Sequence, residues 1–187
     1  MCFIDCRKAF DCVNHKLFWH IMTTNGYPAN IRPIQLIAHL YSKQESMVRT
    51  SCGDSDWFTV GQGVWQGCVI SPSLYNIYAD EVMREVLEVF KGGIRIGGER
   101  ISNPRFADDT TLLCTRKEEL LKLLRKVKDI SKNKNLELNV RKTKVMVIDP
   151  RRSQKEDIYL GSELIEEVDH FVYLGSMINS RSTSKQE

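Results

Sequence analysis

One stretch decides how the sequence is interpreted: Arg105-Phe106-Ala107-Asp108-Asp109-Thr110-Thr111-Leu112-Leu113-Cys114. The apolar run at its end is too short for a helix and predicts a buried strand. Aspartate suits turn positions, so we predict that Asp108 and Asp109 form the tip of a hairpin. Two carboxylates held together repel each other, which makes the arrangement costly. An ordinary surface hairpin with an Asp-Asp turn has the same sequence, so the rest of the chain must decide.

The composition is that of a globular chain with unevenly spread charge. Hydrophobic residues make up 42% and charged residues 27% of the 187 positions, which fits one folded domain. The net charge is only +3, but residues 116–155 contain 14 basic and 5 acidic residues. This segment predicts a polyanionic partner. Its helix over 117–134 has two interpretations, a face for nucleic-acid phosphates or an ordinary solvated face.

The six cysteines contain no Cys-x-x-Cys pair, which argues against a zinc site and a disulfide scaffold. They predict buried thiols in a reducing compartment. We therefore expect an intracellular protein of the nucleus or cytoplasm. No stretch predicts a membrane span or a signal peptide, so we expect no membrane partner. The first predicted strand, Cys2-Phe3-Ile4, follows Met1 directly, so we expect a fragment of a longer protein.

A loop with three glycines precedes a predicted helix: Gly61-Gln62-Gly63-Val64-Trp65-Gln66-Gly67-Cys68. Glycine lets the backbone approach a ligand closely. Ser71 and Pro72 then predict a helix start, with serine as the N-cap and proline at the first helical position. A glycine-rich loop that leads into a helix N-terminus suits a phosphate or a sugar. The spacing fits neither the dinucleotide fingerprint nor the P-loop.

Asp5 ends the first predicted strand, far upstream of Asp108. If the two strands pair in one sheet, their carboxylates can share two divalent ions. Phosphoryl transfer commonly uses two such ions ~3.5–4 Å apart, one for the attacking oxygen and one for the leaving oxygen. Carboxylates suit Mg²⁺, or Mn²⁺, better than softer metals. The two aspartate positions therefore predict a two-metal site for phosphoryl transfer.

Five segments, taken in order, resemble the palm of a reverse transcriptase from a non-LTR, LINE-type retrotransposon, near the RTE/BovB branch. The segments that resemble the five palm motifs are Phe3 to Asp11, Gln66 to Asn76, Phe106 to Asp109, Leu136 to Thr143, and Phe171 to Gly175. The resemblance implies an RNA-directed DNA polymerase that extends a DNA primer on an RNA template with dNTPs. It also implies two Mg²⁺ or Mn²⁺ ions and, as a partner, the rest of the retrotransposon polyprotein.

The resemblance implies a role for each catalytic residue. Asp5 and Asp108 would hold the two ions, and Asp109 would support them. The backbone of Cys6 would be a further metal ligand. Lys142 is the candidate acid for the pyrophosphate leaving group, although an exposed lysine before a strand has the same sequence.

The resemblance also implies where the substrates lie. The backbone at Lys8 and Ala9 would lie near the triphosphate, and Phe10 would sit under the sugar and exclude a 2′-hydroxyl. Gln66 and Gly67 would line the nucleotide pocket and the template strand. Leu174 and Gly175 would belong to the primer grip.

Some residues are open to a plainer interpretation, and some depart from the family. Phe10 at a helix start also fits an ordinary core position. Trp65 is either a packing residue or a base-stacking platform, and most relatives hold arginine there. Losing that arginine removes a potential phosphate contact. Phe106 stands where relatives more often hold tyrosine.

The resemblance places residues 1–150 in the palm, with the fingers missing at the N-terminus. Residues 151–187 would form the primer-grip-like β hairpin and the start of the thumb. We predict an α+β polymerase palm: an antiparallel sheet backed by helices on one face, with a small C-terminal β appendage. One alternative function is a truncated, inactive retrotransposon remnant that binds nucleic acid at most. Another two-metal palm, such as a nucleotide cyclase, is disfavoured by the Gln66-to-Pro72 loop.

Overall fold

The computed structural model describes residues 1–27, 32–88, 90, 92–149 and 154–180, and it has the predicted α+β composition. Four α-helices lie in these ranges: α1 (His15–Thr24), α2 (Arg32–Ser42), α3 (Ser71–Leu87) and α4 (Lys117–Asn133). A 3₁₀ turn covers Ala9–Cys12. None of the described helices is long and apolar enough to cross a membrane. The six cysteines are free thiols.

Sixteen short strands are described. In chain order they are β1 (Cys2–Ile4), β2 (Cys6–Arg7), β3 (Glu45–Ser46), β4 (Arg49–Thr50), β5 (Gly53–Asp54), β6 (Phe58–Thr59), β7 (Ile94–Ile96), β8 (Glu99–Ile101), β9 (Arg105–Phe106), β10 (Asp109–Leu112), β11 (Glu137–Leu138), β12 (Lys144–Val145), β13 (Ile158–Leu160), β14 (Glu163–Glu167), β15 (His170–Tyr173) and β16 (Ser176–Asn179).

The central sheet has six strands in the order β13-β14-β12-β1-β10-β9. Strand β1 lies in its middle and pairs antiparallel with both β10 and β12. The predicted hairpin is present as β9–β10, but its turn consists of Ala107 and Asp108, because Asp109 already belongs to β10 and pairs with Phe106. The carboxylate-bearing segments therefore lie on adjacent strands of one sheet.

The C-terminal strands differ in one respect from the predicted appendage. Strand β14 pairs with β12 in parallel, and β13 pairs with β14, so this hairpin extends the central sheet. Parallel neighbours need a long connection, which the chain between β12 and β14 supplies. The second hairpin, β15–β16, forms a two-stranded sheet of its own. The division at residue 150 stays a prediction, and residues 151–153 and 181–187 of the predicted second segment lie outside the described residues.

The helices cover one face of the sheet, as predicted. Cys2 and Ile4 point into the main core, which also contains the buried side of α4. Buried apolar residues recur there every three or four positions, as an amphipathic helix requires. They are Leu120, Leu123, Leu124, Val127 and Ile130. Phe3 lies between Cys2 and Ile4, so it faces the opposite side of the strand. There it stacks on Phe171 of β15 with ring centroids 4.0 Å apart.

The glycine-rich loop is held against the 3₁₀ turn through its backbone. The amide of Gly63 donates to the carbonyl of Val13, and the amide of Val64 donates to that of Phe10, both at 2.8 Å. The φ angle of Gly63 is +92°, and a Cβ there would lie 3.2 Å from the carbonyl oxygen of Asp11. Any larger residue at this position therefore meets both a strained backbone and a close contact.

We expect Gly63→Ala to lower the free energy of unfolding by about 1–2 kcal/mol, because alanine is strained at a positive φ. Gly61→Ala is the matched control, since a Cβ on Gly61 has no neighbouring atom within 4 Å. Urea denaturation of both variants measures the difference. Equal stability of the two variants would contradict the close fit between the loop and the 3₁₀ turn.

Candidate active site

The site is organised by the register between β1 and β10. Ile4 pairs with Thr110, so Asp5 and Asp109 follow at the same end of the two strands. Asp108 lies in the turn just before Asp109. The structure therefore places the three predicted carboxylates at the same end of the sheet.

The tip of the hairpin is strained and strongly negative. Ala107 adopts a φ of +52°, a conformation that a residue with a Cβ rarely takes. Burial raises the pKa of Asp109, and the charges of Asp108 and Asp5 raise it further. A hairpin can form without a positive φ at a residue that has a Cβ and without adjacent like charges. Backbone strain of this kind concentrates at functional sites.

Lys142 lies next to the carboxylates because its turn is hydrogen-bonded to the first strand. The amide of Asn139 donates to the carbonyl of Asp5 at 2.8 Å, and the amide of Lys142 donates to the carbonyl of Asn139 at 3.1 Å. The Lys142 Nζ is 4.0 Å from Asp5 Oδ1. Sequence reasoning missed Asn139, since an asparagine in a turn carries no signal of this contact.

A cavity of about 240 Å³ lies at this end of the sheet. Predicted catalytic residues and aromatic side chains of β15 share its lining, which comprises Phe3, Ile4, Asp5, Asp109, Thr110, Lys142, Phe171 and Tyr173. The cavity therefore joins the carboxylates to the hairpin predicted as the primer grip.

The donors of this site fit divalent metal ions in their chemistry. Asp5, Asp108 and Asp109 offer hard carboxylate oxygens, and their mutual repulsion is relieved by a cation. Burial, followed by the charge of Asp5, raises the pKa of Cys6 to about 12, so its sulfur stays a protonated thiol. Among the described residues, no group of three or more His, Cys, Asp or Glu side chains is arranged closely enough to hold a metal ion.

Three of the five predicted nucleotide-binding residues, Phe10, Gln66 and Gly67, line a second cavity. Its volume is about 530 Å³, and it is lined by Phe10, Gln66, Gly67, Cys68, Val69, Ser71 and Pro72. The Gln66 Nε2 donates to Asp11 Oδ1 at 3.1 Å, which fixes the amide beside the 3₁₀ turn. Gly67 has a φ of +82°, which glycine adopts without strain.

The helix α3 starts one residue earlier than predicted. Ser71 is the first helical residue, Ile70 is the N-cap, and Pro72 follows within the first turn. The Ser71 hydroxyl is buried and has no hydrogen-bond partner among the described residues. The prediction of Ser71 as the capping residue was therefore wrong, because its side chain turns into the protein instead of toward the helix end.

Tyr75 is a residue of this site that sequence reasoning missed. Its ring stacks on Phe10 with centroids 5.1 Å apart and planes 18° apart. Burial raises the pKa of Tyr75, and the charge of Asp108 acts in the same direction. Its spacing on α3 matches an ordinary core position, so the sequence held no signal for it.

Lys8 and Ala9, the residues predicted to lie near the triphosphate, stand at the start of the 3₁₀ turn. Lys8 is exposed and adopts a φ of +44°. Its carbonyl accepts hydrogen bonds from the amides of Asp11 and Cys12. Ala9 is buried, so only its backbone can face a ligand. This arrangement agrees with the implied role of the backbone at these two positions.

The predicted primer-grip residues form the turn of the β15–β16 hairpin. Leu174 and Gly175 have φ angles of +50° and +77°. Two consecutive positive φ angles match the twist of a hairpin, but leucine adopts them only under strain. The hairpin is held near β1 because Phe171 and Tyr173 both contact the ring of Phe3.

The basic helix α4 makes several internal ion pairs. Lys117 pairs with Glu156, and Lys128 pairs with Glu163. Lys126 Nζ donates to the carbonyls of Glu85 and Val86 at the end of α3. These contacts favour the interpretation of this helix as a solvated face over a phosphate-binding one.

Solved structures with the same fold include two yeast telomerases. One is the apo telomerase of Candida tropicalis, with a TM-score of 0.57 and 18% identity over the whole chain and 35% of that structure. The other is the Candida albicans telomerase in complex with a fragment of telomeric RNA, with a TM-score of 0.61 and 12% identity over the whole chain and 30% of that structure. These likenesses show that the fold is a polymerase palm.

Curated relatives are Pol polyproteins of R2 retrotransposable elements. The protein of Nasonia vitripennis is 27% identical over 95% of this chain, and that of Drosophila melanogaster is 27% identical over 97%. The chain spans 18% of the length of each of these two relatives. Both come from R2 elements, so the finer placement near the RTE/BovB branch stays a prediction.

The family model described as "Reverse transcriptase (RNA-dependent DNA polymerase)" matches residues 1–178. This match covers every segment that carries a predicted motif. The chain therefore belongs to the reverse transcriptase family.

Proposed function

We propose that this domain catalyses the transfer of deoxynucleotides from dNTPs to the 3′-hydroxyl of a DNA primer on an RNA template. The observation that carries the proposal is the pairing of Ile4 with Thr110, which puts Asp5 and Asp109 at one end of two neighbouring strands. Two cavities support it, one beside the carboxylates and one beside Phe10 and Gln66. The primer, the template and the surrounding polyprotein are part of this proposal.

Asp5, Asp108 and Asp109 would hold two Mg²⁺ or Mn²⁺ ions, with the backbone carbonyl of Cys6 as a further ligand. When bound, such ions activate the attacking oxygen and stabilise the leaving oxygen of the transfer. Asp109 has a raised pKa because of burial and of its two neighbouring carboxylates. In the reaction these three side chains supply the negative charge that holds the ions in place.

The incoming nucleotide would lie in the cavity lined by Phe10, Gln66 and Gly67. The ring of Phe10 would contact the sugar and leave no room for a 2′-hydroxyl. Tyr75 would act as a positioning residue for Phe10, because the two rings stack on each other. The backbone at Lys8 and Ala9 would face the triphosphate.

The primer end would be held by the turn at Leu174 and Gly175, on a hairpin docked on Phe3. Lys142 would donate a proton to the pyrophosphate leaving group, since its Nζ lies 4.0 Å from Asp5 Oδ1. An exposed and cationic side chain beside the carboxylates is suited to this task.

Primer extension on an RNA template with Mg²⁺ and dNTPs tests the proposed activity. We expect Asp5→Asn and Asp108→Asn to abolish extension, because each removes a charge that would hold a metal ion. The folded state should be unaffected, as judged by circular dichroism and urea denaturation. Asp129→Asn is the matched control, because Asp129 is an exposed aspartate of α4 away from the carboxylates.

Extension by the wild type that survives in Asp108→Asn would contradict the catalytic role of this carboxylate. A wild type that binds RNA but does not extend any primer would instead favour a nucleic-acid-binding remnant.

Phe10→Ala should relax the exclusion of ribonucleotides, because it removes the ring that would meet the 2′-hydroxyl. Tyr75→Leu should relax it in part, since Phe10 then loses its stacking partner. Tyr75→Phe keeps the ring and is the matched control. The measurement is the ratio of kcat/KM for dNTP and rNTP incorporation, and an unchanged ratio in Phe10→Ala would remove Phe10 from this role.

Lys142→Gln should lower kcat about 100-fold, the scale on which a general acid contributes. The KM for dNTP should change little, because the side chain would act on the leaving group. Arg141→Gln removes a neighbouring exposed charge and serves as the control. Single-turnover extension measures the rate of each variant. Equal rates for Lys142→Gln and Arg141→Gln would show that Lys142 is not a catalytic residue.

A further inference from the structure

Trp65 presents a half-exposed indole beside the nucleotide pocket, and no step of the proposed reaction uses it. The side chain is 43% exposed. Its ring stacks on Tyr41 with centroids 5.0 Å apart and planes 27° apart. Tyr41 is almost fully buried. One face of the indole therefore has a buried aromatic support, while the rest of the ring remains accessible.

Contacts from two other segments hold this support in place. The ring of Tyr41 meets that of His15 edge to face, with centroids 5.2 Å apart. The His15 Nε2 lies 2.7 Å from the carbonyl oxygen of Gly63, to which it donates when it carries the proton. Gly63 belongs to the same loop as Trp65. The platform is thus ordered before any ligand binds, which reduces the entropy lost on binding.

A cavity of about 530 Å³ lies next to the indole. Its lining combines the rings of Trp65 and Phe58 with the amide side chains of Gln44, Gln62 and Gln66. The Nε2 of Gln44 is buried and has no hydrogen-bond partner among the described residues. An unpaired buried donor is costly, so a ligand that brings an acceptor is favoured here.

The charge of the lining indicates which part of a ligand would enter. Asp11 is the only charged residue among those that line this cavity. A phosphate would meet a carboxylate there, whereas a neutral ring would not be repelled. The aromatic rings of the lining can stack on the face of a nucleobase, and the amide side chains can hydrogen-bond to its edge.

We propose that Trp65 is the stacking platform for one unpaired base of the template strand, with the Gln44 amide donating to the base edge. Aromatic side chains stack on every base, and amides supply hydrogen bonds to base edges. The inference rests on the proposed function, because the occupant is the single-stranded template next to the nucleotide pocket.

Binding of a labelled oligouridine to the whole chain, followed by fluorescence anisotropy without metal ions or dNTPs, tests the platform. Trp65→Ala should weaken binding about 5- to 150-fold, the range for loss of one stacked base. Trp65→Phe should keep most of the affinity. Trp57→Ala is the matched control, because Trp57 is 66% exposed but does not line the cavity. The salt dependence should be the same in Trp65→Ala and wild type, since stacking releases no counterions.

A second measurement does not depend on the folding of Trp65→Ala. The double variant Trp19→Phe/Trp57→Phe leaves Trp65 as the sole tryptophan. Its emission should be quenched by oligothymidine and not by an abasic oligonucleotide of the same length. Equal binding of the abasic oligonucleotide, or equal losses in Trp65→Ala and Trp57→Ala, would overturn the proposal. Unchanged emission with every oligonucleotide would also overturn the proposal, and it would favour a protein partner for this surface.

Failure of the platform and failure of the proposed function give different results. Asp108→Asn should bind oligouridine like the wild type while it loses primer extension. Wild-type affinity in Trp65→Ala, with normal extension by the wild type, rejects the platform alone. Binding that depends on Trp65, without extension by the wild type, rejects the polymerase activity alone.

Discussion

The site depends on the antiparallel pairing of β1 with β10. The register of Ile4 with Thr110 brings carboxylates from distant parts of the chain to one end of the sheet. Their repulsion is about 1 kcal/mol for a pair 4 Å apart in water. On the same strands Cys2 and Leu112 are fully buried, and a buried leucine alone contributes about 1.5–3 kcal/mol. Burial of apolar side chains along the strands therefore opposes the repulsion at their ends, and this is how the fold keeps the negative charges together.

Main-chain contacts hold the other motifs to this centre. The amide of Asn139 donates to the carbonyl of Asp5, and the amide of Val64 donates to that of Phe10. Because the backbone makes these bonds, the nearby functional side chains remain available to ligands. Residues other than glycine with positive φ occur in three of the motif segments, at Lys8, Ala107 and Leu174. Their strain is maintained by the surrounding packing and accompanies the proposed binding surfaces.

Much of the fold and of the site followed from local patterns. The hairpin at Asp108 and Asp109 was predicted because turn and strand preferences agree there. The pairing of Phe10 with Tyr75 was not predicted, since both residues look like ordinary core positions. The cap of α3 was wrongly predicted at Ser71, because burial of a side chain cannot be seen in a local pattern. The parallel pairing of β14 with β12 was also missed. It joins strands that are separated by a long connection, and a local pattern does not show which distant strands pair.

The sequence by itself determined which chemical groups are present and in what order. The carboxylates, the glycine-rich loop and the hairpin signals are local properties, and the resemblance to the family rested on five short segments in order, before any distance was known. Only the tertiary structure decided which groups meet: the Lys142 Nζ at 4.0 Å from Asp5 Oδ1, and Trp65 stacked on Tyr41. These contacts join segments far apart in the chain. They depend on strand register and helix packing, which are set by the whole core and not by any short stretch of residues.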